Sequence, residues 1–505
     1  MRVASEGIPN RLWAATPVAV LRAGCIALFV CVNGCGGGGG TASPNSAPTP
    51  APAPGTTPPT LAPATLLVGT ALSIDEGASG NPVNLRVVRS ANGDGFAVWR
   101  ADDGTRRNLW ANRYRAATSA WGSPINIEAS DADIDDFDLT VDAGGNATVV
   151  WIEPSPVLKT EGPVLSARFD AGAGAWAAPV LLGNGFLDPD LHVASDSTGT
   201  ALAVFGQTNG QLFDPVSGTW QPQSIGRDRM SNGVFFGGVP LLDGSGNALV
   251  VYQHERGLNY LASNYFSRST GSWDELPPDV VEGFVHPVPG SQDSGSFSQI
   301  QLATTAGGNF LAAWEVREQR DDDFVFHIRI ARFTSSTRTW STAQTLVPGN
   351  LQNGVRFQRL GSDGNGNALL LWTESDGMRT ALKAMRLDQA GLACDAVRVI
   401  DRAVGGGAAR ADLGVDPQGN AIAIWQQFEG GRPDDGSRSN IAVNRFDRAT
   451  GAWTKAMLVE TQPGNAISPS AGANGGQALL GWIQAEGSVN RVKALLQPLV
   501  NPPSQ

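Results

Sequence analysis

One short segment of this sequence recurs at regular intervals, and the recurrence limits the possible folds more than any other feature. Residues 141–151 read VDAGGNATVVW and residues 415–425 read VDPQGNAIAIW. A repeat of this length is typical of solenoids and propellers, in which each unit buries its apolar face against the next. The aromatic residue that closes the segment returns at intervals of 47 to 62 residues, at Trp99, Trp151, Phe205, Tyr252, Trp314, Trp372, Trp425 and Trp482.

Each segment has the residues of a tight β-hairpin. A glycine stands six positions before the closing aromatic in all eight units, as at Gly145 and Gly419, and supplies the positive φ that closes the turn. An aspartate stands nine positions before the aromatic in five units, as at Asp142 and Asp416. We expect this carboxylate to accept hydrogen bonds from backbone N–H groups two or three residues further along.

A second hairpin follows and ends at a second aromatic slot. A tryptophan fills this slot in six units, and Cys394 fills it in the sixth unit of the chain. We expect the slot residues, Cys394 included, to pack between blades. An arginine also recurs in this hairpin, and its repetition indicates a structural role. The slot tryptophans are Trp121, Trp176, Trp220, Trp273, Trp340 and Trp453, and the arginines are Arg113, Arg168, Arg332, Arg386 and Arg445.

The units account for a complete β-propeller. Each unit supplies four short strands, which is the content of one propeller blade. The eighth unit has no clear fourth strand, whereas residues 70–75 form a strand that no unit claims. Pairing the two closes the ring. We therefore predict an all-β fold, a single eight-bladed propeller of four antiparallel strands per blade over residues 70–498, followed by a tail, 499–505. Seven blades plus a stray unit is the alternative.

The N-terminal part has a different composition. Basic residues precede a short apolar run, 23–32, and the residues Val32-Asn33-Gly34-Cys35 resemble the bacterial lipobox, whose cysteine is lipidated. This predicts a lipoprotein signal peptide over 1–34. Lipidated Cys35 then opens a Gly- and Pro-rich tether over 35–69, which is too polar to bury a core. The residue after the cysteine, Gly36, implies the outer membrane, facing either the periplasm or the exterior.

With this signal and these repeats, residues 70–498 resemble the repeat-built β-propeller lipoproteins of the outer membrane of Gram-negative bacteria. The resemblance implies a fold and a location, and it brings no catalytic residues with it. The formal net charge of −11 argues against a nucleic-acid partner, which requires a basic surface. No run of 18 apolar residues occurs, so the lipid is the only membrane contact that we predict. We expect a monomer.

The variable connections indicate where a partner binds. In a four-stranded blade, the loops between strands two and three and the connections between blades share one face, and binding residues concentrate on such loops. Solvated loops without a partner are the alternative. The candidate partner-binding residues on these loops are Arg100, Asp102, His254, Glu255, Arg256, Glu315, Arg317, Glu374 and Arg379.

The sequence offers one weak metal candidate. Asp131, Asp133 and Asp135 alternate as in calcium loops, but Asp136 stands where such loops need a glycine. A solvated acidic loop is the alternative. The four histidines lack metal-ligand spacing, and no catalytic residue or cofactor is predicted.

Three functions remain open at this stage. The first is a non-enzymatic scaffold that binds another envelope protein through the variable loops. The second is a module that binds a glycan or another extracellular polymer. The third is a polysaccharide hydrolase or lyase, which would require a pair of carboxylates with split pKa values in the channel. The sequence favours the scaffold.

Overall fold

The structure is a computed structural model of the chain. No helix in the part that it describes is long and apolar enough to cross a membrane. The predicted signal peptide and Cys35 lie outside the described residues. The described residues are 69–128, 130–155, 157, 160–187, 191–206, 209–225, 234–255, 259–274, 280–283, 296–320, 323–402, 406–430 and 436–500.

The chain folds into eight antiparallel four-stranded blades, which confirms the predicted propeller and rules out seven blades. We name the strands of each blade a to d in order from the propeller axis outwards. Several outer strands are broken into two pieces by a register shift.
Blade 1 consists of Asn81–Arg89, Gly95–Asp102, Arg107–Arg115, and Ala120–Trp121 with Ile125–Asn126.
Blade 2 consists of Asp136–Val141, Ala147–Ile152, Glu161–Asp170, and Ala175–Trp176 with Val180–Phe186.
Blade 3 consists of His192–Ser195, Ala201–Phe205, Asn209–Asp214 and Thr219–Ser224.
Blade 4 consists of Val234–Leu242, Ala248–Glu255, Asn259–Ser267, and Ser272–Trp273 with Val280–Gly283.

The second half of the ring repeats this plan, with one 3-10 turn, Ala306–Gly308, between strands a and b of blade 5.
Blade 5 consists of Ser296–Thr305, Asn309–Arg320, Asp323–Thr334, and Thr339–Trp340 with Gln344–Val347.
Blade 6 consists of Arg356–Ser362, Ala368–Ser375, Thr380–Leu387 and Arg398–Val399.
Blade 7 consists of Ala408–Val415, Ala421–Phe428, Ser439–Asp447, and Ala452–Trp453 with Met457–Leu458.
Blade 8 consists of Ala466–Asn474, Gln477–Glu486, Val489–Pro498 and the N-terminal strand Leu72–Ser73.

The ring closes as the strand accounting predicts. Strand a of every blade contacts strand a of both neighbouring blades, including blade 8 with blade 1. Leu72 and Ser73 pair antiparallel with Ala494 and Lys493, so the two ends of the propeller share blade 8.

The repeated turn between strands a and b is fixed by hydrogen bonds from its own backbone. Asp416 Oδ1 accepts the N–H groups of Gln418 and Asn420, at 3.0 and 2.8 Å. The donors therefore lie two and four residues after the aspartate, rather than two or three. The Asn420 side chain then accepts the N–H of Arg448, at 3.1 Å, from the turn between strands c and d. The repeated glycines have positive φ, 88° at Gly145 and 83° at Gly419.

The hydrophobic core is divided among the eight interfaces between blades. Each interface holds one cluster of buried side chains from two adjacent blades, and the closing aromatic lies at its centre. The six tryptophans among these aromatics are at most 1% exposed. Burial of a large apolar side chain stabilises a fold by about 1.5–3 kcal/mol, so these residues hold neighbouring blades together.

The second aromatic slot packs between blades, as predicted. The ring centroid of Trp176 lies 5.6 Å from that of Phe169 in its own blade and 5.9 Å from that of Phe96 in blade 1.

The prediction for Cys394 needs a correction. Ala393, rather than Cys394, pairs with Leu387 in the slot, because the c–d turn of blade 6 is one residue shorter. Cys394 lies one position further and is partly buried.

The recurrent arginines link neighbouring blades. The guanidinium of Arg168 lies 3.8 Å from the ring centroid of Phe213 in the next blade, and Arg113 stacks on Phe169 in the same way. Such cation–π contacts favour a fixed blade spacing, which agrees with the structural role predicted for these arginines.

Candidate functional site

The propeller has two unlike faces. The tight a–b and c–d turns share one face, the turn face. The b–c loops and the connections between blades share the other, the variable face. The b–c hairpins extend further than predicted, because strands b and c pair almost to their ends. In blade 5 the pairing reaches Arg320 and Asp323. As a result, most of the predicted loop residues lie in strand b.

The structure describes eight of the nine predicted residues, and they are spread over blades 1, 4, 5 and 6. Arg100 and Asp102 end strand b of blade 1, Glu315 and Arg317 lie in strand b of blade 5, and Glu374 lies in strand b of blade 6. Arg379 alone of the described ones lies in a loop. His254 and Glu255 belong to strand b of blade 4, where only the backbone is described, and Arg256 lies outside the described residues.

Most of these side chains are engaged within the protein. Arg379 binds the Asp401 carboxylate and the carbonyl of Arg402. Arg317 stacks on Phe324, with its guanidinium 3.5 Å from the ring centroid. Glu374 binds Lys383 Nζ at 2.9 Å. For Glu374, burial alone would raise the pKa, but the hydrogen bonds from Lys383 and the Trp372 indole outweigh it, and the pKa is lowered.

The three aspartates of the calcium candidate bind arginines. Asp131 Oδ1 lies 2.8 Å from Arg106 Nη1, and Asp133 accepts the backbone N–H of Arg107 at 2.8 Å. Asp135 lies 3.4 Å from Arg107 Nη1. In the described part of the chain, no group of three or more His, Cys, Asp or Glu side chains is arranged to hold a metal ion.

Eight equivalent positions of strand a form an inner ring around the propeller axis. Each pairs with the residue just before the closing aromatic of strand b, as Arg86 does with Val98. The members from blade 1 to blade 8 are Arg86, Asp138, His192, Val239, Gln301, Arg359, Asp412 and Ser470.

Polar members of the inner ring bind the next strand a. In four cases the side chain of a ring residue accepts the backbone N–H of the residue just after the ring position of a neighbouring blade. Neighbouring strands a do not pair as a sheet, so these side chains supply the hydrogen bonds between them. The acceptor and donor residues are Asp138 and Val193 (3.0 Å), Gln301 and Leu360 (2.8 Å), Asp412 and Ala471 (3.0 Å), and Ser470 and Val87 (2.9 Å).

The ring also carries two charged groups on opposite walls. Asp138 lies 4.0 Å from Arg86 and 3.8 Å from the ring of His192, and Arg359 Nε donates to Asp412 Oδ1 at 2.6 Å. The pKa of Arg359 is raised, chiefly by the charge of Asp412. Burial opposes this effect, and the charge of Asp138 adds to it from the opposite blade. The two walls are therefore close enough to interact.

Both ring carboxylates stay ionised. Burial alone would raise the pKa of Asp412, but the charge and hydrogen bond of Arg359 outweigh it and the pKa is lowered. The pKa of Asp138 is lowered in the same way, by the His192 ring and the charge of Arg86 acting against burial. Asp136, two residues before Asp138 on the same strand, differs: burial raises its pKa. Asp136 and Asp138 are thus a carboxylate pair with split pKa values.

A cavity of about 480 Å³ lies between the inner ring and the variable face. Its lining comes from strand a of blades 1, 5, 6, 7 and 8 and from Glu315. Among the described residues, four arginines line it, against the single carboxylate of Glu315: they are Arg86, Arg356, Arg359 and Arg410. The neutral polar groups of the lining are Asn84, Gln299, Gln358 and Ser468.

The four arginines differ in whether another side chain already pairs with their guanidinium group. Arg86 and Arg359 face ring carboxylates, and Arg356 lies 3.1 Å from Glu315 while stacking on Phe326. The Arg410 side chain is exposed, and no ion pair or hydrogen bond joins its guanidinium to another residue in the described part of the chain. Arg410 therefore presents an uncompensated positive charge to the cavity.

Of the predicted site residues whose side chains the structure describes, only Glu315 lines this cavity. The missed ring residues carried a signal in the sequence. They stand thirteen positions before the closing aromatic in seven units and twelve in the eighth, and seven of the eight are polar. Aligning the repeats on that column would have identified the ring.

The fold and the site together define an eight-bladed β-propeller with an arginine-lined cavity at one mouth of its channel. No family model matches the chain, and no curated protein matches it. Among solved structures, a polysaccharide lyase of family PL25, an ulvan lyase, has 10% sequence identity and a TM-score of 0.47, covering 86% of this chain and 96% of its own.

Two further solved structures have a similar extent of coverage. An α-L-arabinanase of Penicillium chrysogenum has 12% identity and a TM-score of 0.39, covering 86% of this chain and 99% of its own. A protein of unknown function from Dyadobacter fermentans has 11% identity and a TM-score of 0.41, covering 85% and 98%. At these identities, residues and activities do not carry over.

Proposed function

We propose that this protein binds an acidic saccharide in the cavity at the variable-face mouth of its channel. The observation that carries the proposal is the uncompensated positive charge of Arg410 in a cavity whose other arginines each face a carboxylate, although the chain as a whole has a net charge of −11. A local reversal of sign in a concave site attracts anions, because the walls of the cavity focus the field of its charges.

The donors in the cavity suit a sugar that carries a carboxylate or sulfate group. A guanidinium presents a planar fork of N–H groups that binds such an anion in a bidentate manner. Arg410 is free to do so, whereas Arg356 would exchange part of its contact with Glu315. The amide and hydroxyl groups of Asn84, Gln299 and Ser468 can donate to and accept from sugar hydroxyls. The Gln358 amide is already used, because it accepts the N–H of Ala411 and donates to backbone carbonyls.

The cavity favours a saccharide over the protein scaffold that the sequence suggested. A protein partner generally requires a broad surface with an apolar centre, whereas this site is concave, polar and cationic. Arg317, Glu374 and Arg379, which the scaffold hypothesis relied on, are engaged in contacts inside the protein. They are consequently less available to a protein partner than Arg410 is to an anion.

One observation favours a second, catalytic function. Asp136 and Asp138 have split pKa values and are two residues apart on one strand, so their side chains share one face and their Cα atoms are roughly 7 Å apart. That separation is in the range of inverting glycoside hydrolases. Binding is the main proposal because both oxygens of Asp138 already accept backbone N–H groups, from Leu139 and Val193. Release of new reducing ends by the wild type and its loss in Asp136→Asn would establish the catalytic function.

We also propose a location for this site. A lipid on Cys35 would hold the chain at the outer membrane, and residues 41–64, rich in proline, would act as an extended spacer. At about 3.1 Å per residue the spacer reaches roughly 70 Å. The propeller would then meet soluble or surface-bound saccharides at a distance from its anchor.

The test is calorimetric titration of the purified full-length chain with tetragalacturonate and with its carboxyl-reduced, neutral counterpart, beside an array of acidic and neutral polysaccharides. We expect binding to acidic members only, weakened by salt because the contacts are ionic. Arg410→Gln should weaken binding about tenfold. Arg398→Gln is the matched control, since Arg398 is exposed on the outer strand of blade 6. Absence of binding to every acidic saccharide, or an equal affinity for neutral ones, would overturn the proposal.

A further inference from the structure

Four blades share an irregularity in strand a, opposite the closing aromatic. In blades 4, 5, 7 and 8, two residues of strand a stand opposite one residue of strand b, so the strand bulges. In blade 7, Arg410 and Ala411 are the two residues opposite Trp425. The first residue of each bulge has a left-handed backbone: φ is 62° at Gly237, 52° at Gln299, 50° at Arg410 and 51° at Ser468.

This conformation is unfavourable for three of the four residues. A residue with a Cβ pays of the order of 1 kcal/mol or more for a left-handed backbone, whereas glycine adopts it freely. The described part of the chain contains five non-glycine residues with positive φ, and three of them are Gln299, Arg410 and Ser468. Blade 4 has a glycine, Gly237, at the same position, and glycine adopts this backbone conformation without strain.

The strained residues coincide with the cavity. Gln299, Arg410 and Ser468 all line it, whereas Gly237 is not part of the lining. The bulge thus keeps a side chain wherever it faces the cavity and has glycine where it does not. Backbone strain persists at positions where the side chain does something that a relaxed residue would not.

We propose that Gln299, Arg410 and Ser468 are the specificity-determining residues of the site. Arg410 binds the anionic group of one sugar residue, and Gln299 and Ser468 bind hydroxyl groups of the ligand on either side of it. The ligand therefore lies along the arc from blade 5 to blade 8 and carries its acidic group at blade 7. This inference rests on the proposed function, because it names the contacts that select the acidic saccharide.

Glycine substitutions test this role with a readout that separates binding from folding. Arg410→Gly, Gln299→Gly and Ser468→Gly remove a side chain and relieve the backbone strain, so we expect an unchanged or higher melting temperature. Arg410→Gly should weaken binding of tetragalacturonate at least tenfold and abolish its preference over the carboxyl-reduced form. Gln299→Gly and Ser468→Gly should weaken binding several-fold and keep that preference, because they contact hydroxyl groups.

Ser119→Gly is the matched control. Ser119 has φ 51° and is exposed in a c–d turn on the turn face, so this variant relieves the same strain away from the cavity and should bind like the wild type. If the wild type binds acidic saccharides and the three cavity variants bind equally well, the inference fails while the proposed function stands. Variants that lose binding together with a marked fall in melting temperature would also overturn it, since the side chains would then be structural. Failure of the wild type to bind refutes the proposed function itself.

Discussion

Lys493 Nζ donates a hydrogen bond to Ser73 Oγ at 2.8 Å, across the seam where the two ends of the propeller meet. The two residues are direct partners in the antiparallel pair that supplies strand d of blade 8. The N-terminal strand is short, only Leu72–Ser73, and yet it covers the edge of strand c. Without it the ring would retain an open sheet edge.

A disulfide across this seam should stabilise the propeller. Directly paired strand residues have Cα atoms about 4.5–5.5 Å apart, within the range of disulfides. We therefore expect Ser73→Cys with Lys493→Cys, in a Cys394→Ser background, to form a crosslink under oxidising conditions. Closing so long a loop is worth up to about 5 kcal/mol, and the melting temperature should rise by several degrees.

The reduced form of the same double variant is the control for this experiment, because it keeps both substitutions without the crosslink. Peptide mapping that finds residues 73 and 493 both as free thiols after oxidation would contradict their pairing.

The repeated turn between strands a and b that Asp416 organises, here called the turn box, should be the main local determinant of stability on the turn face. Asp416 is fully buried and accepts three hydrogen bonds, from the N–H groups of Gln418 and Asn420 and from Asn420 Nδ2. Asp416→Ala leaves these donors without a partner, so we expect a loss of about 2–4 kcal/mol in urea unfolding.

Asp447→Ala is the comparison for the turn box. Asp447 accepts the N–H groups of Ala449 and Thr450 in an exposed turn, where water replaces a lost acceptor. This variant should cost less than about 1 kcal/mol. Equal losses in the two variants would mean that burial of the turn box contributes nothing.

The fold could be predicted from the sequence because its signals are local and repeated. The Gly145 column, the Asp142 column and the closing tryptophans each report a contact within one hairpin or between adjacent blades. Repetition reinforces such signals, and the strand that closes the ring followed from counting. The assignment of Cys394 to the second aromatic slot was wrong by one position. The sequence alone does not give the register of strands c and d, so it does not reveal that the turn between them is one residue shorter.

The site could not be predicted in the same way. The cavity depends on bulges in strand a, as at Arg410, and a bulge is set by pairing with the neighbouring strand rather than by composition. The predicted residues were charged positions in the longest apparent loops, and Glu315 alone of them lines the cavity. The length of strands b and c, which turned these loops into hairpins, depends on backbone pairing that side-chain patterns do not report.

The ion pair between Arg359 and Asp412 at the base of the cavity should be coupled. Arg359→Met leaves the Asp412 carboxylate without its cation. Because the two side chains are 33% and 15% exposed, we expect a loss of about 1–3 kcal/mol, between the values for surface and buried ion pairs. Asp412→Asn keeps an acceptor for the N–H of Leu413 or Ala471 but leaves the Arg359 guanidinium without an anionic partner. In a double-mutant cycle the combined variant should lose at least about 1 kcal/mol less than the two single losses predict. Additive losses would contradict a direct interaction.

The lipid anchor is tested by labelling in the native host. Cys35→Ser should abolish incorporation of labelled palmitate and release the protein from the membrane fraction, because Cys35 is the predicted attachment residue. Cys394→Ser is the matched control and should be labelled like the wild type. Label retained in Cys35→Ser would refute the lipobox interpretation of residues 32–35.

Asp401 should make the stability of blade 6 depend on pH. Its side chain is fully buried, Arg379 binds one of its oxygens, and the other has no hydrogen-bond partner among the described residues. Burial raises its pKa to about 6, although the charge of Arg379 opposes the shift.

Between the unfolded value of 3.8 and about 6, the folded chain keeps a proton on Asp401 that the unfolded chain releases. The free energy of unfolding therefore decreases as pH rises through this window, by at most about 1.4 kcal/mol per pH unit. Asp401→Asn removes the titration, so the difference between wild type and variant in urea unfolding should change between pH 4 and 6.5 and be constant above. A difference that is constant over the whole range would show that Asp401 does not titrate in this way.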